Sequence, residues 1–302
     1  MTLEPMAGAI VRRRARAKLN VFLRVLSLRD DGYHDLESLV LPLTLADDVT
    51  AALSDRLHVD VVEVVDAADT ADTSSAGSAV PAGGLNLALV AALALAESCA
   101  ISGGAEIRIE KRIPVAGGLG GGSADAAATI SALNELWGCG LDRIALAEIG
   151  ARIGSDVPAA IAPGAVVMSG RGERLEDVGV PELSWVIVPM PFGVRSPDAY
   201  RWWDEGERRT GPEATKALDA ARAGDPARLG SLLFNDLEPP VFERHPEMAD
   251  VKRRLLELGA LGAVMSGSGS SIAGLASDAR HAEALAARID GAIAVSGPAA
   301  DR

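Results

Sequence analysis

The sequence predicts a two-domain α+β protein, with one domain over residues 1–165 and a second over residues 166–302, the last strand being allowed to pack back on the first domain. Three observations carry this expectation. At 302 residues the chain is longer than a typical single core. Residues 106–113 (EIRIEKRI) alternate strictly, then give way to a glycine-rich loop and an alanine-rich helical stretch, a strand–loop–helix order. After Gly164 the pattern starts again, with strand-like AVVMS, a charged GRGER turn and WVIVP, followed by alternating strands and helices.

Residues 16–28 (RAKLNVFLRVLSL) are dense in apolar side chains and partly alternating, which reads as a hairpin strand closed by the turn at Asp30, Asp31 and Gly32. Strand character continues over 39–45 and 57–65. Residues 66–84 have loop composition without periodicity. The run 85–97 (LNLALVAALALAE) reads as a buried helix. Along 106–113, Ile107, Ile109 and Lys111 fall on one strand face. The next helix is expected to begin at Ser123 or Ala124, with Ser123 as N-cap and Asp125 in the first turn, and a further helix over 142–152. In the second half, 246–258 starts on Pro and ends on Gly259, GAVMS and IAGLA flank a small-residue turn, and Ser277 with Asp278 opens a last helix.

The formal net charge of −13 argues against nucleic acid or an anionic membrane as partner, since those select basic patches. An anionic small molecule would have to be held by locally placed Lys, Arg and backbone N–H groups. Two cysteines, Cys99 and Cys139, form no metal-ligand or disulfide pattern, which fits a reducing cytoplasm. No apolar run reaches the roughly 18–20 residues that span a bilayer. Arg12, Arg13, Arg14 and Arg16 resemble a transit peptide in charge, but Lys18 and Asn20 follow directly, so this stretch is expected to belong to the fold. With aromatic residues at only 3%, Tyr33, Phe192, Trp202 and Trp203 each merit attention.

Residues 117–122 hold five glycines in six positions, a conformational cost that only a special backbone path offsets. A strand before the loop and a helix after it distinguish it from a flexible linker. Together they aim unpaired N–H groups and the positive end of a helix dipole at one point, the arrangement that holds phosphate oxygens. Two familiar phosphate motifs fail here. A Walker loop needs Lys before its final Ser, whereas Ser123 and Ala124 follow Gly122 directly. A dinucleotide fingerprint starting at Gly118 would need glycine where Ser123 stands.

Other residues have two readings each. Asp156, in GSDVP, either caps a short helix with Pro158 in its first turn or accepts a proton. Lys18, on an otherwise apolar strand, either snorkels to solvent or points into a site. Lys111 is an exposed strand charge or a ligand contact. The turn at 266–271 (SGSGSS) is a plain hairpin or a close approach for substrate, and His34 is a surface histidine or a recognition group.

The stretch PVAGGLGGGSADAA (114–127) resembles the phosphate loop of the GHMP kinases. AKLN (17–20), DGYH (31–34), GSDVP (154–158), FNDLE (234–238) and SGSGSS (266–271) extend the resemblance in order over residues 17–275, towards members of that family acting on a cytidine diphosphate-linked methylerythritol. The resemblance implies a two-domain GHMP kinase fold: an N-terminal ribosomal-protein-S5-domain-2-like nucleotide domain and a C-terminal ferredoxin-like α/β sandwich. It implies a cytoplasmic monomer or weak homodimer in non-mevalonate isoprenoid synthesis. ATP would donate the phosphoryl group, with Mg²⁺ held by few direct protein ligands and Ser123 the candidate hydroxyl. The acceptor would be the substrate's 2-hydroxyl. Asp156 and Lys18 are implied as the catalytic pair, the carboxylate as base and the ammonium stabilising developing charge. ATP would meet Asn86, Leu87 and Lys111 at adenine, and Pro114, Val115, Ala116, Gly117, Gly118, Leu119, Gly120, Gly121, Gly122, Ser123 and Ala124 at the phosphates. His34 would hydrogen-bond cytosine while Tyr33 stacks on it, with Asn20 at the polyol hydroxyls and Ser268 near the substrate. The sequence departs from the family at the second aromatic wall, where Val194 stands; Phe192, two positions earlier, is the candidate replacement.

Overall fold

The computed structural model describes residues 9–64, 86–206 and 211–299. The stretch 66–84, read above as a surface loop, lies outside them. The chain forms two compact units that do not divide at one point. The first takes the chain up to Ala17, then Leu45–Val115 and Gly120–Ala162; the second takes Lys18–Thr44, Ala116–Leu119 and the chain from Pro163 onward. Two strands, both longer than the pattern suggests, account for this: β1 (Ile10–Leu28) and β2 (His34–Ser54) run through both units.

In the first unit, β3 (His58–Glu63) is followed by α1 (Leu87–Ser98), β4 (Gly104–Lys111), α2 (Gly121–Leu136), α3 (Arg143–Ala151) and α4 (Val157–Ile161). β3 pairs in parallel with β4, and β4 pairs antiparallel with the far half of β2, from Asp48 opposite Glu110 to Ser54 opposite Gly104. Alternation along β4 buries Ile107, Ile109 and Lys111 on one face, as the period of two requires. α2 carries Ala124, Ala126, Ala127, Ala128, Ile130, Ala132 and Leu133 buried nearly all round, the mark of an interior helix, and its small side chains let α1 pack closely against it. α3 opens on Asp142, whose carboxylate accepts from the N–H of Ala145 at 2.9 Å.

In the second unit come β5 (Val166–Gly170), β6 (Arg174–Asp177), β7 (Leu183–Val188), α5 (Ser196–Glu205), α6 (Ala214–Arg222), α7 (Pro226–Gly230), β8 (Phe234–Asn235), α8 (Glu238–Arg244), α9 (Pro246–Glu257), β9 (Gly262–Met265), β10 (Ile272–Ala276), α10 (Ala279–Ala286) and β11 (Ile293–Gly297). The near half of β2 pairs with β5, and β8 pairs in parallel with β1 at Phe22 and Leu23. A separate antiparallel sheet has the order β11-β7-β10-β9. With helices between β7 and β9 and between β10 and β11, this is the ferredoxin-like βαββαβ arrangement. Its core gathers Val186, Val188, Met248, Leu255, Met265 and Ile272. β11 pairs with β7; within it, Ser296 N–H bonds Thr44 Oγ1 at 3.0 Å and, just beyond it, Ala299 N–H bonds the Pro42 carbonyl at 2.8 Å, so its link to residues 42–44 stays within this unit.

Candidate functional site

In the first unit, α2 starts at Gly121, two residues earlier than expected, and its N-cap is Gly120 with φ +69°, making no side-chain cap bond. Ser123 is therefore the third helical residue and not the cap. The reason is steric: glycine enters the left-handed region without a Cβ penalty, so the backbone can turn straight into the helix. No side chain at the cap covers the first N–H groups of the helix. Positive φ recurs at Ala116, Gly118 and Gly120, an alternation typical of anion-binding nests.

Around this helix start, Asn86 is buried and its Oδ1 accepts from Ala88 N–H at 2.9 Å, capping α1. A Cβ at Gly122 would lie 3.5 Å from Leu87 Cδ1, and Val115 is exposed. Ser123 lies beside Gly154, where a side chain's Cβ would fall 3.8 Å from the Ser123 hydroxyl, so GSDVP adjoins the first turn of α2. Asp156 takes the N-cap position of α4, with Pro158 behind it, yet its side chain makes no cap hydrogen bond. Asp156 thus opens α4 as the sequence suggests, by position and not by a side-chain cap bond.

Lys111 is not an exposed strand charge. Its ammonium, 6% exposed, lies 2.5 Å from Asp47 Oδ2 and 2.7 Å from Asp125 Oδ2. Asp125, expected as a first-turn dipole charge, is buried in this cluster. Burial pushes its carboxyl up to about 7, opposed by the Lys111 charge and reinforced by Asp47. An unfolded Asp titrates near 3.8, so between about pH 4 and 7 the folded chain keeps a proton that the unfolded chain has released. Stability therefore falls as pH rises through that window. Asp125→Asn cannot titrate there, so urea unfolding at pH 4.5, 6 and 7.5 should show the wild type losing stability relative to the variant as pH rises. A constant difference would contradict the shift.

In the second unit, Lys18 Nζ bonds Asn20 Oδ1 at 2.5 Å, and Asn20 Nδ2 bonds Ser38 Oγ at 2.8 Å. Asn20 is thus a buried holder of the Lys18 ammonium. A Cβ at Gly267 would sit 2.9 Å from Lys18 Nζ, so the SGSGSS turn closes on that amine and needs glycine there. The turn joins the hairpin strands β9 and β10, and it also grips the middle of the glycine loop: Ser266 Oγ bonds the Gly118 carbonyl and Ser271 N–H the Gly117 carbonyl, both at 3.0 Å. Lys18 N–H bonds the Leu119 carbonyl at 2.9 Å. Both readings of the turn therefore apply. Ser268 is buried, its hydroxyl 2.9 Å from that of Ser196.

FNDLE explains itself in the same network. Asn235 Nδ2 donates to the carbonyls of Met265 (2.8 Å) and Gly267 (2.7 Å), while Glu238 Oε1 accepts from Met265 N–H at 2.7 Å. Asn235 was visible as a motif letter, but its role is to shape the SGSGSS turn.

DGYH forms a tight turn, with Gly32 at φ +81° and Arg29 bonded to Asp31 and Asp35. Tyr33 is 51% exposed beneath the Arg171 guanidinium, 5.2 Å from its ring centre. His34 is buried, overturning its surface reading. Its Nε2 lies 2.9 Å from Asp204 Oδ1, and its ring stacks on Tyr200 at 5.1 Å and meets the edge of Trp203 at 5.6 Å. Tyr200, Trp203 and Asp204 share one face of α5 by helical spacing. Val194 is buried in the core of this unit, and Phe192 stacks on His245 at 4.7 Å, its carbonyl accepting from Ser270 Oγ. The aromatic ring stacked on His34 is Tyr200, with Trp203 meeting it edge-on. The signal for it was the scarcity of tyrosine, since the chain's two tyrosines are Tyr33, adjacent to His34 in sequence, and Tyr200.

Among the described residues, no group of three or more His, Cys, Asp or Glu is arranged to hold a metal ion, and no helix is long and apolar enough to cross a membrane. Burial, with Cys99 alongside, pushes the Cys139 thiol up to about 12, far from a reactive thiolate.

Residues 86–164 match the family model of the GHMP kinases N terminal domain, and residues 217–293 that of the GHMP kinases C terminal domain. The chain is 40% identical over 279 residues to 4-diphosphocytidyl-2-C-methyl-D-erythritol kinase of Pelotomaculum thermopropionicum, covering 91% of this chain and 92% of the relative. It is 38% identical to the enzyme of that name from Clavibacter michiganensis, covering 92% and 89%. A crystal structure of 4-(cytidine 5'-diphospho)-2C-methyl-D-erythritol kinase superposes with a TM-score of 0.77 at 33% identity, covering 95% of this chain and 98% of the other. Loop, motif order, fold and full-length identity agree: the chain belongs to the GHMP kinase family, in its 4-diphosphocytidyl-2-C-methyl-D-erythritol kinase branch.

Proposed function

We propose that this small-molecule kinase transfers the γ-phosphoryl group of ATP to the 2-hydroxyl of 4-diphosphocytidyl-2-C-methyl-D-erythritol, giving the 2-phosphate and ADP in the cytoplasm. The observation that carries the substrate class is His34, buried and oriented by Asp204 and Tyr200 directly after Tyr33. A pyrimidine offers a π-face for tyrosine to stack on and an edge for an imidazole to hydrogen-bond. Tyr200 replaces Phe192 as the proposed second wall.

The phosphates lie on the glycine loop and the start of α2, with adenine at Asn86 and Leu87. Mg²⁺ bound with the nucleotide would neutralise charge on its phosphates, and the Ser123 hydroxyl, in the first turn of α2, is the protein group that would contact it. Asp156 accepts the proton of the attacking hydroxyl. Lys18, oriented by Asn20, stabilises charge on the transferring group.

A coupled ADP-release assay with the cytidyl substrate, homoserine and mevalonate in parallel tests the assignment. Turnover is expected with the cytidyl substrate, and Tyr200→Ala should raise its KM about tenfold, the 1–3 kcal/mol of a lost base stack. Activity with homoserine or mevalonate alone would overturn the substrate.

A further inference from the structure

The glycine loop has two stems, and one buried ion cluster touches both. β4 ends at Lys111 and α2 begins at Gly121. Asp47, on β2, uses Oδ1 to accept from the N–H groups of Arg112 (2.5 Å) and Ile113 (2.8 Å), where the chain leaves the strand. Its Oδ2 takes Lys111 Nζ, which reaches on to Asp125 in the second turn of α2. The stems themselves touch: a Cβ at Gly121 would lie 3.1 Å from Ile113 Cγ2 and 3.3 Å from Lys111 Nζ.

We infer that Asp47, Lys111 and Asp125 are positioning residues for the phosphate loop: Asp47 sets the exit from β4, and Lys111 ties that anchor to the helix that begins the cradle. The inference rests on the proposed phosphate role of the loop. A loop so rich in glycine has many conformers available, and donors that hold phosphate must stay within about 0.5 Å of their productive places. Rigidity therefore has to come from the stems. With side chains 6%, 0% and 8% exposed for Lys111, Asp47 and Asp125, the cluster is shielded from water; removing Lys111 or Asp47 leaves a buried charge short of its partner, and Asp125→Asn removes the carboxylate through which the ammonium reaches α2. In this geometry the Lys111 amine is committed to two carboxylates, so its effect on ATP is transmitted through the backbone and not made by contact with adenine.

The test compares Asp47→Ala, Asp125→Asn and Lys111→Met by titration calorimetry with Mg·ATP and with inorganic tripolyphosphate, alongside steady-state kinetics. Each variant is expected to weaken both ligands by the same factor, about tenfold as for other supporting residues, leaving the acceptor's KM unchanged. Lys111→Met/Asp125→Asn should be no worse than the worse single variant, as members of one network are non-additive. Weakened ATP with unaltered tripolyphosphate in Lys111→Met, and neutral aspartate variants, would mean direct contact with the base and overturn the inference. A lowered Tm with both affinities intact would make the cluster a packing element only and overturn it as well. Should Asp47→Ala fail to fold, the near-isosteric Asp125→Asn supplies the same comparison. Failure of the wild-type protein to bind tripolyphosphate would instead sink the phosphate cradle, and the inference with it.

Discussion

Asp156→Asn should lower kcat by about 10²–10⁴, the usual contribution of a positioned general base, while KM for ATP stays within about twofold of wild type by the logic of a transition-state-only interaction. The expectation follows from how the side chain is placed. Asp156 stands at the N-cap position of α4, where a carboxylate ordinarily bonds the helix N–H groups, and it makes no such bond. Asparagine keeps the shape and can itself cap a helix, so the fold should tolerate it. Lys18→Met removes the charge while keeping the apolar stem, and should cost about 10²–10³ in kcat, as for the loss of one oriented donor to developing charge. Its amine is held by Asn20 and enclosed by the turn at Gly267, so the loss is of an aimed group and not of a mobile one. Rapid-quench single-turnover kinetics with ATP titrations separates chemistry from binding. Wild-type turnover in either variant would remove these residues from the chemistry.

Gly118→Ala should lower turnover by about 10²-fold or more. Gly118 has φ +73°, where any L-residue other than glycine is strained by about 1–2 kcal/mol. Its added Cβ would fall 2.2 Å from the Ser266 carbonyl oxygen and 2.7 Å from that of Gly269. Both are backbone atoms of the turn that grips the loop, so no side chain can swing aside. Relief requires the loop and the turn to separate, breaking the bonds from Ser266 and Ser271 to the loop carbonyls. A shift of about 1 Å in a positioning element costs on the order of 10²-fold in rate. Measured ATP affinity and Tm should both fall. Gly32→Ala is the control for backbone strain alone, because Gly32 also has positive φ (+81°) but nothing lies within 4 Å of its Cβ. Equal loss of ATP binding in the two variants would show that strain and not the clash is responsible.

The local grammar of the chain was largely legible. Strand alternation over residues 106–113 placed Ile107, Ile109 and Lys111 on one buried face, and Asp142 and Asp278 were found at the helix starts they imply. These features depend on neighbours two to four residues away, which the sequence displays directly. The errors were local too where glycine intervened: a side-chain cap was expected at Ser123, but Gly120 turned the backbone first. The division into units was less legible, because a strand that continues through two units carries the same alternation on both sides of the crossing.

By itself, then, the sequence determined the kind of fold, pointed to the glycine loop as the proposed phosphate cradle and, through motifs scattered over residues 17–275, indicated the family. The partners of its polar groups were decided only by tertiary structure. Lys111 meets Asp47 across 64 positions, His34 meets Asp204 across 170, and Asn235 reaches Gly267 across 32. No periodicity links residues that far apart. Whether a lysine is an exposed charge or the centre of a buried cluster, or a histidine a surface group or an oriented one, depends on which desolvated partner folding brings to it. The glycine loop shows the division most clearly: its composition announces freedom of backbone, while its one useful shape is held by a serine turn and an ion cluster drawn from elsewhere in the chain.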